Sequence, residues 1–555
     1  MLSVFLIWIY IFLTTIILGY PILRRTSFRT EDRLMFGLMA VTVFSEVFSL
    51  FFKVSLVANI VLVIICVLTA IIFRKEILQS LKSFFGSIKN IKHFPVYVIL
   101  AFLFAAFMAY GTSRGYFHDD SDLYHGQAIR WIEEYGIVKG LGNLHVRLAY
   151  NSASFALSAL YSFSFLGGQS YHAVAGYIAM IMLASSLRIF TSVKAGKIRV
   201  SDFARLAVVY YCFNIYDEMV SPASDYFAML FFLYTIVKLL ELSERDSTPD
   251  EYASVAMIGI FTITLKLSTL PVIIACVLPI VMLIKNKKAI RILRYTAYAF
   301  AIMVPYFVRE YLLSGRLFYP STAFDIFSPV WKVPKGLVIN DSEFIIAFAR
   351  GYRQREAAQY PFREWMTHWI GTLGMTEKIL LVLCIAGIII LPVSIILRKK
   401  FQAIHMIQII CIASFLFWLV SAPLVRYGQG YLLIVPAVMA GDLIVIAAGK
   451  MTEKKQRLAK GITIGFTVIA AAFLLYKTMM CLLSFRNNYA QDYYITQLDY
   501  GTYETVKSDV DGEIIYSPAE GDKTGYKPFP ATPLIEQGLS LIGDDIKSGF
   551  YIKEQ

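Results

Sequence analysis

Residues 150–166, YNSASFALSALYSFSFL, decide the topology of this chain. The stretch is apolar enough to enter a membrane, yet it holds several serines and ends at Gly167-Gly168. A full crossing needs about 20 consecutive apolar residues. We therefore read it as an interfacial or re-entrant helix that does not cross. Outward from it, the 555 residues are 57% hydrophobic and only 16% charged, with a mean hydropathy of +0.62. A soluble protein carries about 25% charged residues. Here apolar blocks alternate with short charged stretches, the pattern of a polytopic helical membrane protein.

The blocks give about 14 spans. They lie near 1–22, 34–52, 55–73, 94–112, 172–190, 204–218, 225–242, 253–267, 270–285, 295–312, 378–397, 403–421, 427–448 and 461–483. Basic residues test the order. Arg24, Arg25, Arg29 and Arg33 fill the first connection, and Arg74, Lys75, Lys82, Lys89 and Lys92 the third. Later clusters lie in 194–205, 285–294, 398–400 and 450–460. With both termini outside and 150–166 not crossing, every cluster falls on the cytoplasmic side, as the positive-inside rule requires. The net charge of +13 then belongs to cytoplasmic loops, and no nucleic-acid partner is expected. The six cysteines all sit in apolar blocks, so no disulfide or cysteine metal site is expected. The N-terminus lacks a cleavable signal pattern and reads as a retained first span.

The expected fold is an all-α polytopic membrane protein, multi-pass in the cytoplasmic (inner) cell membrane. Residues 1–484 form the transmembrane domain, with external loops 113–171 and 313–377 and a polar turn at 217–225. Residues 485–555 form an extracytoplasmic tail. Tyr, Ile and Phe recur through it and GEIIYSP at 512–518 is strand-like, so a small α+β unit is expected.

The first external loop carries FHDDSDLYHGQAIRWIEEYG, residues 117–136. Ser121 or Asp122 can cap a helix running to about Tyr135, with Gly136 ending it. Tyr124, Ala128, Trp131 and Tyr135 form an apolar stripe suited to the membrane interface or the bundle. Asp119, Asp120 and Asp122 crowd the positive end of that helix, flanked by His118 and His125. Surface acids are ordinary helix caps. Three of the chain's seven histidines, however, lie in this one loop (His118, His125 and His145). We take the aspartates as candidate catalytic groups, a carboxylate at a water–lipid boundary being able to act as general base for an alcohol. Mn²⁺ or Mg²⁺ is compatible with Asp and His ligands, but no tight spacing demands a metal, and no cofactor is expected.

Candidate binding cations are Arg147, Lys266, Arg309 and Arg426. Lys266 sits inside the apolar block FTITLKLSTLP, where a lysine costs about 2.5–3.5 kcal/mol and therefore faces a partner or cavity. Arg309 ends the tenth span and Arg426 opens the thirteenth; both could equally reach for headgroups. Asp225 tops the seventh span, as a cap or as a partner for one of these cations.

A many-span chain with Asp119-Asp120 in an early external loop on an interfacial helix resembles the GT-C superfamily of membrane glycosyltransferases. The resemblance implies a polyprenyl-phosphate-linked sugar donor, and a glycan, lipid or protein acceptor at the outer face of the bilayer. It implies a base or acceptor contact at Asp119 or Asp120, with cations holding the lipid phosphate. Lys266, Arg309 and Arg426 take that role by position only; His118, His125, Arg147 and Asp225 are further binding candidates. In that family the acidic loop follows the first span, whereas here it follows the fourth. Two other classes remain. A polysaccharide polymerase or ligase would rely on Arg147, Arg353 and Arg355. A lipid-linked sugar transporter or flippase would show repeats and paired broken helices.

Overall fold

The structure, a computed structural model, describes residues 1–24, 26–79, 82, 94–449 and 493–553, together with scattered helical positions between 461 and 480. Most of the expected span at 461–483 and all of the basic cluster at 450–460 lie outside the described residues, as do Arg25, Lys89 and Lys92.

The chain is mostly helical, with a small β region at its C-terminal end. Among the described residues seven helices are long and apolar enough to cross a membrane: Leu2–Ile22, Val174–Ser192, Ser224–Ser243, Leu267–Lys285, Met375–Arg398, Ala403–Ser421 and Val425–Gly449. Other expected spans are helices too, but they are short or charged. Leu56–Ile72 and Val200–Asn214 are short, and Thr30–Ser49 carries Glu31, Asp32, Arg33 and Glu46. Ile290–Ser314 carries Arg309 and Glu310. The outer surface is apolar, with Ile71, Ile389 and Ile396 all exposed. That is the arrangement lipid tails favour, since helices satisfy their backbone internally. The central helix is Ser224–Ser243, 89% of whose apolar window is buried; Met375–Arg398, at 22%, is peripheral.

Residues 150–166 turn back. Helix Ala153–Leu160 is entirely buried, and its serines and neighbours are tied into the bundle. Ser45 donates to the Ala156 carbonyl, Asn59 to the Leu160 carbonyl, and Ser152 to the Leu265 carbonyl. Both ends reach the same face of the molecule. The Tyr150 hydroxyl donates to Asp341 at 2.7 Å, and Gln169 donates to the Gln497 carbonyl at 2.9 Å. Helix Ala153–Leu160 therefore packs inside the bundle rather than lying on its outer surface. Its short length and hydroxyl content suit an interior where each polar group finds a partner.

The two ends of the bundle differ. At one, the Met1 ammonium donates to the Tyr493 carbonyl at 2.6 Å, and Asn143 donates to the Trp331 and Phe550 carbonyls. This end collects the N-terminus, loops 113–152 and 313–377, and the tail. The other end collects basic connections: Arg24 pairs with Glu76, Arg245 with Glu251, and Arg294 with Asp250.

The tail is β where α+β was expected. Strand β1 (Thr505–Val510) pairs antiparallel with β2 (Glu513–Pro518), and β3 (Leu539–Leu541) with β4 (Phe550–Ile552). Asp511 and Gly512 both take positive φ, the tight turn that an Asp-Gly pair favours in a hairpin. Among the described tail residues no helix forms. The tail instead clamps the acidic-loop helix. Thr524 and Gly525 amides donate to the Asp122 carbonyl at 3.0 and 2.8 Å, and Gln127 donates to the carbonyls of Gly525 and Pro528. Trp131 and Tyr135 pack on Phe529. The C-terminal half of the apolar stripe thus faces the tail, while Tyr124 packs on Phe155 of the bundle.

Candidate functional site

The acidic loop leaves the helix Phe94–Ser113 and re-enters helix directly after His118. A wide turn over Ser121–His125 runs into Gly126–Glu134, which ends before Gly136 at φ +80°. Helix therefore begins at Asp119, ahead of the expected caps. His118 precedes it, with Nδ1 3.2 Å from the Asp120 amide nitrogen.

Around Asp120 the chain builds an unbroken line of alternating charges. Arg426 Nη2 donates to Asp120 Oδ2 at 2.6 Å, and its Nε lies 3.3 Å from Asp225. Asp225 pairs in turn with Lys266. On the other side Arg147 lies 3.5 Å from Asp120 and 3.4 Å from Asp341, which also accepts the Tyr150 hydroxyl. The order is Asp341, Arg147, Asp120, Arg426, Asp225, Lys266, drawn from six separate segments. Arg426 also donates to His118 Nε2. That leaves the ring proton on Nδ1, 3.3 Å from Asp120 Oδ2. Burial alone would favour the neutral Asp120 acid. The His118 hydrogen bond and the Arg426 charge outweigh it and hold the carboxyl well below the usual carboxylate range.

Lys266 owes its place to a broken helix. Pro249–Leu265 ends at Lys266, whose backbone is extended, and a tighter helical run, Leu267–Cys276, follows. The break turns the ammonium toward Asp225 and sets it 3.7 Å above the Tyr427 ring. Asp225 sits in the first turn of Ser224–Ser243, and Arg426 in the first turn of Val425–Gly449. Helix starts favour the carboxylate and disfavour the cation, so Arg426 depends on its acidic partners.

A cavity of about 380 Å³ opens beside this line. His118, Asp119 and Arg426 border it, with Tyr116, Phe117, Tyr226 and Glu218 opposite. Glu218 accepts the hydroxyls of Tyr116, at 2.5 Å, and Tyr226.

Of the residues expected from the sequence, His118, Asp120, Arg147, Asp225, Lys266 and Arg426 come together. Asp119 stands at the cavity edge, 82% exposed, and pairs with Lys523 of the tail at 2.7 Å. Three others do other work. Asp122 turns to the tail, accepting from the Gly501 amide and the Tyr503 hydroxyl. His125 is buried beside Ser121, Tyr124 and Phe155, where burial pushes its pKa down to about 3. Arg309 is enclosed elsewhere, donating to Ser49 and to Asn151. The sequence reading missed Asp341, Glu218 and Tyr427. The last two adjoin singled-out positions, in YDEMVSPASD and LVRYG; Asp341 has no local mark. Among the described residues no three His, Cys, Asp or Glu side chains gather as a metal site.

No curated protein and no solved structure matches the chain. The whole charge line lies within residues 1–433, the stretch matched by the profile described as "Domain of unknown function (DUF8201)", and the chain belongs to that family.

Proposed function

We propose that this protein is a GT-C-like glycosyltransferase with about 14 spans. It moves a sugar from a polyprenyl-phosphate carrier to a glycan, lipid or protein acceptor on the extracytoplasmic face. The observation that carries the reading is one cavity bordered by a guanidinium, an imidazole and an exposed carboxylate, with Lys266 and Arg147 each joined to that guanidinium through one shared carboxylate.

In this mechanism the carrier phosphate competes for Arg426, whose planar fork suits phosphate. The acceptor oxygen attacks the anomeric carbon while the bond from that carbon to the phosphate oxygen breaks. The electron pair leaves with the phosphate, where Arg426 and Lys266 stabilise the growing charge. The acceptor proton passes to Asp119, the acid that borders the cavity. Asp120, held ionised, positions Arg426 and His118 rather than taking the proton.

The test is to incubate the purified chain in nanodiscs with a panel of polyprenyl-phosphate sugars. Released polyprenyl phosphate and glycosylated acceptor are then measured. We expect turnover with at least one donor, falling about 10²–10³-fold in Arg426→Gln and about 10²–10⁴-fold in Asp119→Asn. The broken helix at Lys266 favours a second reading, transport of the lipid-linked sugar. Movement of labelled donor across the bilayer without bond cleavage would establish that reading and remove the transferase.

A further inference from the structure

At the basic end of the bundle, far in the chain from the acidic loop, a second cavity of about 340 Å³ lies among the ends of four helices. Six cations line it: Arg29, Arg188, Arg199, Arg205, Lys238 and Arg245. Three carboxylates line it with them: Asp32, Glu241 and Glu244. The inner cations are committed. Lys238 bridges Asp32 at 3.0 Å and Glu241 at 2.5 Å. Arg205 pairs with Asp202 at 2.6 Å and with Glu241. Arg188 pairs with Glu31 and Glu241, and Arg245 with Glu251 at 2.7 Å. The third lining carboxylate, Glu244, is taken by the amide and hydroxyl of Ser201.

Two features remain unsatisfied. Arg29 and Arg199, both exposed at the rim, make no ion pair among the described residues. Arg205 is 2% exposed, yet its Nε has no hydrogen-bond partner. A buried guanidinium donor without a partner is costly unless something fills the space before it. Arg29 and Arg199 also stand at the start of helices Thr30–Ser49 and Val200–Asn214, whose positive ends therefore meet at the same rim.

We propose that this cavity is a binding site for a phosphate-bearing anion. Guanidinium forks at the rim and an inner guanidinium with a spare donor suit phosphate oxygens better than a single carboxylate. The committed ion pairs would hold the walls while the rim arginines supply the attraction. The phosphate could belong to an anionic lipid headgroup or to a soluble phosphorylated molecule. The site is independent of the transferase reading, since it lies at the opposite end and shares no residue with it.

Two measurements on the purified full chain separate the sources. Thermal melting is followed while inorganic pyrophosphate is titrated into the protein in neutral detergent. Native mass spectrometry counts lipid retained after release from nanodiscs of mixed phosphatidylglycerol and phosphatidylcholine. The variant is Arg29→Gln with Arg199→Gln, both exposed and unpaired, so the fold is kept. Lys197→Gln with Lys400→Gln removes the same charge outside the cavity. A saturable rise in melting temperature whose midpoint moves about tenfold or more in the rim variant identifies a soluble phosphate. Selective retention of phosphatidylglycerol, lost in the rim variant and kept in the control, identifies a lipid headgroup. No effect in either measurement, or an equal loss in the control, overturns the proposal.

Discussion

The line of charges around Asp120 and the enclosed group around Arg309 are built from the same residue types and serve different ends. Along the line, three cations alternate with three carboxylates, every side chain keeps some exposure, and a cavity runs beside it. Around Arg309 the side chains are closed off from solvent. Arg309 is 2% exposed, Glu46 and Glu310 are fully enclosed, and the guanidinium ties Ile290–Ser314 to Ser49 of Thr30–Ser49 and to Asn151. Read in isolation, an arginine at the end of an apolar block looks alike in both places. What separates them is whether water, and so a ligand, reaches the partner. A buried guanidinium orders helices through its hydrogen bonds, whereas a partly wet line can exchange a carboxylate for a phosphate.

The largest effect should follow from breaking the dry group. Arg309→Met leaves the buried Ser49 and Asn151 oxygens without their guanidinium donor, and each buried group so stranded costs about 1–3 kcal/mol. The detergent-solubilised variant should melt far below the parent or fail to accumulate. Lys266→Met, made on the wet line where the ammonium is 26% exposed, should lower the melting temperature much less. Equal losses from Arg309→Met and Lys266→Met would erase the distinction between the two regions.

A smaller effect sharpens the comparison through pH. Asp120 has a depressed pKa in the fold, so the stability it contributes is complete above the unfolded value of about 3.9 and is lost only as pH falls below that. His125 and His145 behave oppositely: burial pushes both from 6.5 down to about 3, so they stay neutral in the fold. Below pH 6.5 the unfolded chain takes up protons that the folded chain refuses, and stability falls with pH until about 3. Melting temperature should decline as pH falls from about 6.5 towards 4. His125→Gln should flatten that decline by one proton's share. A decline that starts only below pH 4 would mean that both rings are reached by water.

The legible part of this molecule was local. Apolar blocks gave helices, and GEIIYSP gave β2. Lys266 could be singled out because an ammonium inside an apolar block must have a partner, and Asp225 was named as one candidate. Which cations reach Asp120 was not legible: Arg426 lies 306 residues away, and such a pairing leaves no period in the sequence. Arg309 was placed wrongly for the same reason. The stripe at Tyr124, Ala128, Trp131 and Tyr135 was visible as an apolar face, but not what covers it, since Phe529 belongs to a segment almost 400 residues on. The three aspartates of HDDSD look equivalent as text. Their different roles arise because successive helical positions point about 100° apart, toward Lys523, toward Arg426 and toward Tyr503.

The smallest expected effect concerns what holds the tail over the acidic loop. Lys523 pairs with Asp119, and it would be natural to credit that ion pair with the clamp. Both partners are more than a third exposed, and pairs in water contribute at most about 1 kcal/mol. The neighbouring contacts are of another kind: two amides on the Asp122 carbonyl, the buried Gln127 carboxamide on Gly525, Pro528 and Ala531, and Trp131 against Phe529. Removing Gln127 leaves those backbone groups without partners in a closed space, which costs more than a screened charge pair. Limited proteolysis should therefore leave the tail of Lys523→Ala as protected as in the parent, at low and high salt alike. The tail of Gln127→Ala should be cut markedly faster. If Lys523→Ala opened the tail as readily, charge rather than backbone pairing would be what fastens it, and Asp119 would be a structural tether instead of a free carboxylate at the cavity edge.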